Sequence, residues 1–183
     1  MMKAALEIIS ERGFHDSPIA EIAARAEVAA GTIYRYFESK DVLVNELRQA
    51  LVYEISTVLL KDYPLDRSLE ERFHHIFRGL LVYFIDHPLH FRYLEQYFHS
   101  PYGVELHREA LLENSKCHNG ALWLLFDEGV SHRLLKDLPK PVLLALSMGP
   151  LIILMRDHAL GFAGLDKKLI GQVTEACWDA IKS

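Results

Sequence analysis

Between Ser17 and Phe37 two short amphipathic runs flank a tight break, and this stretch constrains the fold more than any other part of the chain. Ser17-Pro18 opens the first run. Serine is a favoured helix N-cap, and proline suits the first helical position because its φ is preset and its missing N–H has no helical acceptor to serve. Ile19, Ile22, Ala23 and Ala26 then recur on one face, and the run ends near Ala26. Glu27-Val28-Ala29-Ala30 forms the turn, and a third helix runs from Gly31 to Phe37. Ile33 and Phe37 lie one helical turn apart and point inward, which leaves Thr32, Tyr34, Arg35 and Tyr36 facing outward. Ahead of these, a helix from Met2 to Arg12 carries Ala5, Leu6, Ile8 and Ile9 on its apolar side and stops at Gly13, with Phe14 returning to the core.

The rest of the chain continues in helices. Ser39 caps a long fourth helix from Lys40 to about Lys61, and Asp62 to Arg67, with Pro64, reads as a linker. Ser68 and Glu71 make a capping box for a fifth helix, Leu69 to Ile85, which Asp86-His87-Pro88 breaks. A sixth helix runs from about Leu89 to Phe98 and ends at Ser100-Pro101-Tyr102-Gly103; a seventh is expected from Glu105 to Phe126 or a little beyond. Leu138-Pro139-Lys140-Pro141 punctuates the chain before an eighth helix, Val142 to Leu160, and a ninth from Asp166 to Ile181. No alternating run and no Asn-Gly or Asp-Gly hairpin turn argues for strands. The fold class is therefore all-α, with about nine helices. A three-helix, helix-turn-helix domain is expected at 1–45, including the first part of the fourth helix, and a larger helical domain at 46–183.

A helix fits the major groove, and residues near its N-terminus reach base edges while flanking groups grip phosphates. Gly31 lets backbone approach closely, and Lys40 stands in reach of a phosphate. Charge limits this reading. The net charge is −5, and residues 1–50 hold six Lys or Arg against eight Asp or Glu. A general nucleic-acid coat protein is basic, because phosphate neutralisation drives non-specific binding. DNA contact here must rest on a small, well-placed set of groups.

Cys117 and Cys177 stand in no motif, which reads as a reducing, cytoplasmic setting. The first helix does not read as a signal peptide, since Glu7, Glu11 and Arg12 interrupt it. The longest uncharged run, Pro141 to Met155, falls short of the ~20 apolar residues that span a bilayer and contains Gly149 and Pro150. It reads as a buried or interface helix, and no membrane partner is expected.

These residues resemble a known family. Ile22-Ala23-Ala24-Arg25-Ala26, Val28, Gly31-Thr32-Ile33-Tyr34-Arg35-Tyr36-Phe37, Ser39-Lys40-Asp41 and Leu43 are similar to the DNA-binding domain of tetracycline-repressor-type regulators. The lead-in Ala4-Ala5-Leu6-Glu7 and Glu11-Arg12-Gly13-Phe14 matches that family's first helix, so the resemblance covers about the first 45 residues. It implies a sequence-specific transcriptional regulator, a repressor released from a palindromic or near-palindromic operator by a small-molecule effector, working as a homodimer without a cofactor. It implies that Tyr34, Tyr36 and Lys40 grip phosphates, that Thr32 and Arg35 contact bases or backbone, and that Ser17 is a phosphate ligand, with Ala30 and Gly31 completing the DNA-facing set.

Three departures from the family pattern stand out. Glu27 occupies a turn position usually held by glycine, where a left-handed backbone would cost about 1 kcal/mol. Ala30 stands where a polar or basic residue is usual, and no basic arm precedes the first helix in this sequence. A helical dimerisation or ligand-binding module with weakened DNA binding is the alternative reading. A helical-bundle enzyme is a further one, although no nucleophile elbow, phosphate loop or catalytic carboxylate pair is present.

In the family it resembles, the larger domain binds the effector and forms the dimer. Phe73, Phe77, Leu80, Leu81 and Phe84 make an apolar face on the fifth helix, and such stripes serve as plain core or as pocket lining. An apolar or aromatic effector is expected against Phe77, Leu81, Tyr93, Tyr97, Trp123, Phe126 and Met155. The eighth and ninth helices are expected to form the dimer interface through Leu146, Ile153, Val173, Cys177 and Trp178, with burial inside one subunit as the alternative. No metal site is expected. His74 and His75 point to different faces of one helix, His87 and His90 straddle Pro88, and none gives the histidines at i and i+4 with a carboxylate that a metal-binding helix shows.

Overall fold

Caps and breakers divide the chain into its helices. In the computed structural model, which describes residues 1–105 and 120–183, these are α1 (Met2–Arg12), α2 (Ile19–Arg25), α3 (Ala30–Tyr36), α4 (Lys40–Leu60), α5 (Leu69–Asp86), α6 (Pro88–Phe98), α7 (Ala121–Ser131), α8 (Lys140–Ala159) and α9 (Lys167–Ile181). Among the described residues β pairing is limited to one bridge, Leu135 with Lys182.

The expected caps are in place. Gly13 closes α1 at φ +83°, donating its N–H to the Ile9 carbonyl at 2.8 Å. Ser39 Oγ accepts from the Val42 N–H at 3.2 Å to start α4. Ser68 and Glu71 form the reciprocal box, with Glu71 donating its N–H to Ser68 Oγ and Ser68 donating its N–H to Glu71 Oε2. Accepting from the Ser68 N–H and from the Ser68 hydroxyl holds the Glu71 carboxyl below its ordinary range.

Two expectations change. The sixth helix ends at Phe98 as expected, but the stretch that follows is not a plain break: the backbone at 101–105 is helical, with the Val104 N–H donating to the Ser100 carbonyl at 3.1 Å. Proline is tolerated at the first turn of a helix, so Pro101 opens this segment. The helix expected from Glu105 to Phe126 is interrupted by Gly120, extended at φ −74°, ψ 153°, after which α7 begins. Its middle part lies outside the described residues.

The helices gather into two compact units. The first holds Met1–Glu54 together with α6 and residues 101–105; the second holds Ile55–Asp86 and α7 to α9. The boundary expected at residue 45 therefore falls inside the continuous helix α4, and α6 packs with the N-terminal helices.

In the first unit Ala5, Ile8, Ile9, Ile22, Ile33, Leu43 and Val44 are buried. Three tyrosines tie α6 and the helical segment that follows it to the start of α4. The Tyr93 hydroxyl donates to the Val44 carbonyl at 2.6 Å, Tyr97 donates to Asn45 Oδ1 at 2.6 Å, and Tyr102 donates to Asp41 Oδ1 at 2.5 Å. The Phe14 ring sits edge-on among all three. Burial pushes the Tyr93 phenol far up, and burial with the Asp41 bond pushes Tyr102 up to about 12, so both remain donors at neutral pH.

In the second unit Phe73 stacks on Phe77 at 3.9 Å and lies 5.2 Å from Trp178 of α9. Arg72 is nine-tenths buried and paired with Glu128 of α7. Helix α8 buries Leu143, Ser147, Leu151 and Met155, a stripe at four-residue spacing, and exposes Val142, Leu146, Pro150 and Ile153 opposite. Taken whole, α8 has 20 residues and is long and apolar enough to cross a membrane, whereas the uncharged run read from the sequence falls short of that.

Candidate nucleic-acid interface

The exposed face of α3 is defined by what holds it from behind. Ile33 is fully buried and Phe37 nearly so, which fixes the helix rotationally. Tyr34 and Tyr36 are then 55% and 59% exposed, Arg35 lies between them in solvent, and Thr32 is half-buried. The Arg35 guanidinium sits over the Tyr36 ring at 5.4 Å, a cation–π contact that holds the fork on the surface. A Cβ added at Gly31 would meet nothing within 4 Å, so the chain's own packing does not require glycine there.

The turn into α3 is a Schellman motif. The Val28 N–H donates to the Ala23 carbonyl at 3.0 Å and the Glu27 N–H to the Ala24 carbonyl at 3.1 Å. This geometry needs a left-handed residue, and Glu27 supplies it at φ +56°. Ala29 is extended and Ala30 begins α3 half-buried.

Local charge is selective. Arg12 pairs with Glu21, and Arg25 pairs with Glu7 at 3.2 Å and Glu11 at 3.9 Å, so these cations are neutralised within α1 and α2. Lys40 donates to the Phe14 carbonyl, and burial lowers its ammonium below the usual range while Asp41 and Asp16 pull it back up. Ser17, expected to hold a phosphate, is fully buried, and its hydroxyl donates to the same carbonyl at 3.0 Å. Its side chain is committed inside the fold.

The comparisons with known proteins agree with this geometry. Residues 1–47 match the profile of bacterial regulatory proteins of the tetR family, and residues 68–182 match the tetracyclin repressor-like C-terminal domain. The chain belongs to the tetracycline-repressor family. An HTH-type transcriptional regulator of Haemophilus influenzae is 24% identical over all of this chain and 94% of its own length. The structure of a TetR-family regulator from Vibrio parahaemolyticus superposes with a TM-score of 0.75 at 30% identity, covering 100% of this chain and 96% of that one. FadR of Bacillus subtilis, in complex with stearoyl-CoA, superposes with a TM-score of 0.76 at 20% identity, covering 98% and 97%. The protein is thus a helix-turn-helix transcriptional regulator, in a family of regulators rather than enzymes.

In this regulator the residues expected around the effector separate. Phe77, Leu81, Phe126 and Met155 are buried in the second unit, where α5 packs on α7 and α8, and Trp123 is partly exposed beside Phe126. Tyr93 and Tyr97 do not join them. They belong to the first unit, with their phenols spent on α4. The expected dimer residues divide as well. Leu146 and Ile153 are exposed on α8 and Val173 is partly exposed, but Cys177 and Trp178 are buried within the chain itself, because the buried stripe of α9 packs against α5. Sequence reasoning missed the tyrosine bolts on α4 and the Phe14 carbonyl. A backbone acceptor leaves no residue-type signal.

Proposed function

We propose that this regulator is a cytoplasmic homodimer that reads a palindromic or near-palindromic operator through α3 and releases it when an apolar effector occupies the helical body. The observation that carries this reading is the display of Tyr34, Arg35 and Tyr36 on a helix held from behind by Ile33 and Phe37. Tyr34 and Tyr36 grip phosphates, Arg35 and Thr32 reach bases or backbone, and Gly31 with Ala30 lets the helix start approach the groove closely. Lys40 keeps donors beyond the one given to Phe14, since an ammonium has three, and these serve a phosphate.

Dimerisation is supported by α8. Its outer stripe of Val142, Leu146, Pro150 and Ile153 is apolar and solvent-exposed in one chain, and a second copy would cover it. Two-fold symmetry then demands matched half-sites in the DNA.

The effector is apolar, because the side chains inside α5, α7 and α8 are Phe77, Leu81, Phe126 and Met155. The stearoyl-CoA held by the Bacillus neighbour makes a long-chain acyl thioester the first molecule to try. Coupling between effector and operator is carried by the continuous helix α4, whose first turns the α6 tyrosines grip. A mobility-shift titration on DNA upstream of the protein's own gene, with and without stearoyl-CoA, tests the reading. A shift that acyl-CoA reverses supports it; no shift at any protein concentration refutes it.

A further inference from the structure

We propose that Glu70 and His74 of α5 and Glu175 of α9 form a binding site for one divalent transition-metal ion. A carboxylate oxygen from each glutamate and a ring nitrogen of His74 all lie within 4.8 Å of one another. His74 Nε2 is 3.1 Å from Glu175 Oε2 and 3.9 Å from Glu70 Oε1. Ligands at the ~2.0 Å bond lengths of tetrahedral zinc stand about 3.3 Å apart, so the His74–Glu175 spacing already fits, and Glu70 needs only a small side-chain rotation.

His74 is only 9% exposed, and among the described residues neither ring nitrogen makes a hydrogen bond, Nε2 meeting Glu175 as an ion pair at 3.1 Å. A buried polar atom without a partner is costly, and a metal ion supplies what it lacks. Both carboxylates are about half exposed, so an ion has an open path and a free coordination position. Glu70 and His74 are four apart on one helix face, the pairing that the sequence reading overlooked; Glu175 comes from the far end of the chain.

The test is Co²⁺ titration of the tag-free full-length chain followed by visible absorption, with Zn²⁺ as competitor. The expected result is saturation at one equivalent with a tetrahedral-type band that Zn²⁺ abolishes, and affinity weakened about tenfold or more in both His74→Gln and Glu175→Gln. Glu175→Gln changes an exposed side chain and keeps the test valid where His74→Gln fails to fold. Absence of a saturable band in the wild type overturns the proposal. So does unchanged affinity in the folded Glu175→Gln variant, which would assign the band to other histidines.

Discussion

Ser17 and Lys40 donate to one acceptor, the carbonyl oxygen of Phe14. One donor stands at the start of α2 and the other at the start of α4, so a single backbone oxygen fixes the two helices that bracket α3. The Phe14 ring is held in turn by Tyr93, Tyr97 and Tyr102. Lys40 thus has a structural bond as well as donors left for a phosphate, and the two roles separate experimentally.

Lys40→Met removes both. Loss of the bond to Phe14 lowers stability by about 1 kcal/mol, a melting-temperature drop of roughly 2–4 °C. The phosphate role shows in the salt dependence of operator binding, whose log–log slope falls by about 1.8, since the dimer loses one such contact in each half-site. Calorimetry and anisotropy titrations at several salt concentrations read the two effects. A lower melting temperature with an unchanged slope would leave Lys40 with its structural role alone.

Glu27 adopts φ +56° in a turn that glycine would adopt without strain. The left-handed region costs a side-chain-bearing residue about 1–2 kcal/mol, and the extra freedom of unfolded glycine returns about 0.5–1 kcal/mol of that. Glu27→Gly is therefore expected to raise the melting temperature by roughly 1–4 °C. A lower melting temperature would show that the Glu27 side chain makes a contact worth more than the strain.

Gly31 separates folding from recognition. A methyl there meets no protein atom, and alanine favours helix over glycine by about 0.5–1 kcal/mol, so Gly31→Ala leaves stability equal or higher. In the DNA complex the same methyl occupies the close-approach surface, and operator affinity is expected to fall about tenfold, on the order of 1.4 kcal/mol. Equal affinity would mean that α3 approaches the groove from another side.

The Arg72–Glu128 pair predicts a pH response. Arg72 holds the Glu128 carboxyl below its ordinary range, so the pair's stabilisation is complete above that range and is lost as pH falls through the lowered value. Glu128→Gln leaves a guanidinium nine-tenths buried with a weaker partner and is expected to cost about 1–3 kcal/mol at neutral pH. The difference between wild type and variant in thermal melts should shrink on acidification. A difference that grows would contradict the assignment.

The head was legible in the sequence because short-range rules govern it. Helical spacing put Ile33 and Phe37 inward, and Glu27 stood where a left-handed residue was needed. The body was less legible, since a stripe shows that a face is apolar but not which helix covers it. Cys177 and Trp178 were expected at an interface between subunits and turned inward against α5. Tyr93 and Tyr97 read as pocket aromatics until their phenols met acceptors on α4, a pairing across the chain that no local pattern encodes. Ser17 and Lys40 were chosen for their charge and hydroxyl, yet both point at a carbonyl that any residue could have supplied.

The central claim is that α3 reads DNA through Tyr34, Arg35 and Tyr36. Fluorescence anisotropy on a labelled fragment from the protein's own promoter region, at moderate salt, tests it most directly, comparing wild type with a Tyr34→Ala/Lys40→Ala double variant whose folding is checked by circular dichroism. The account predicts saturable binding by the wild type and a loss of at least about 100-fold, roughly 2.7 kcal/mol, in the folded double variant. Binding of equal strength by both proteins would contradict it.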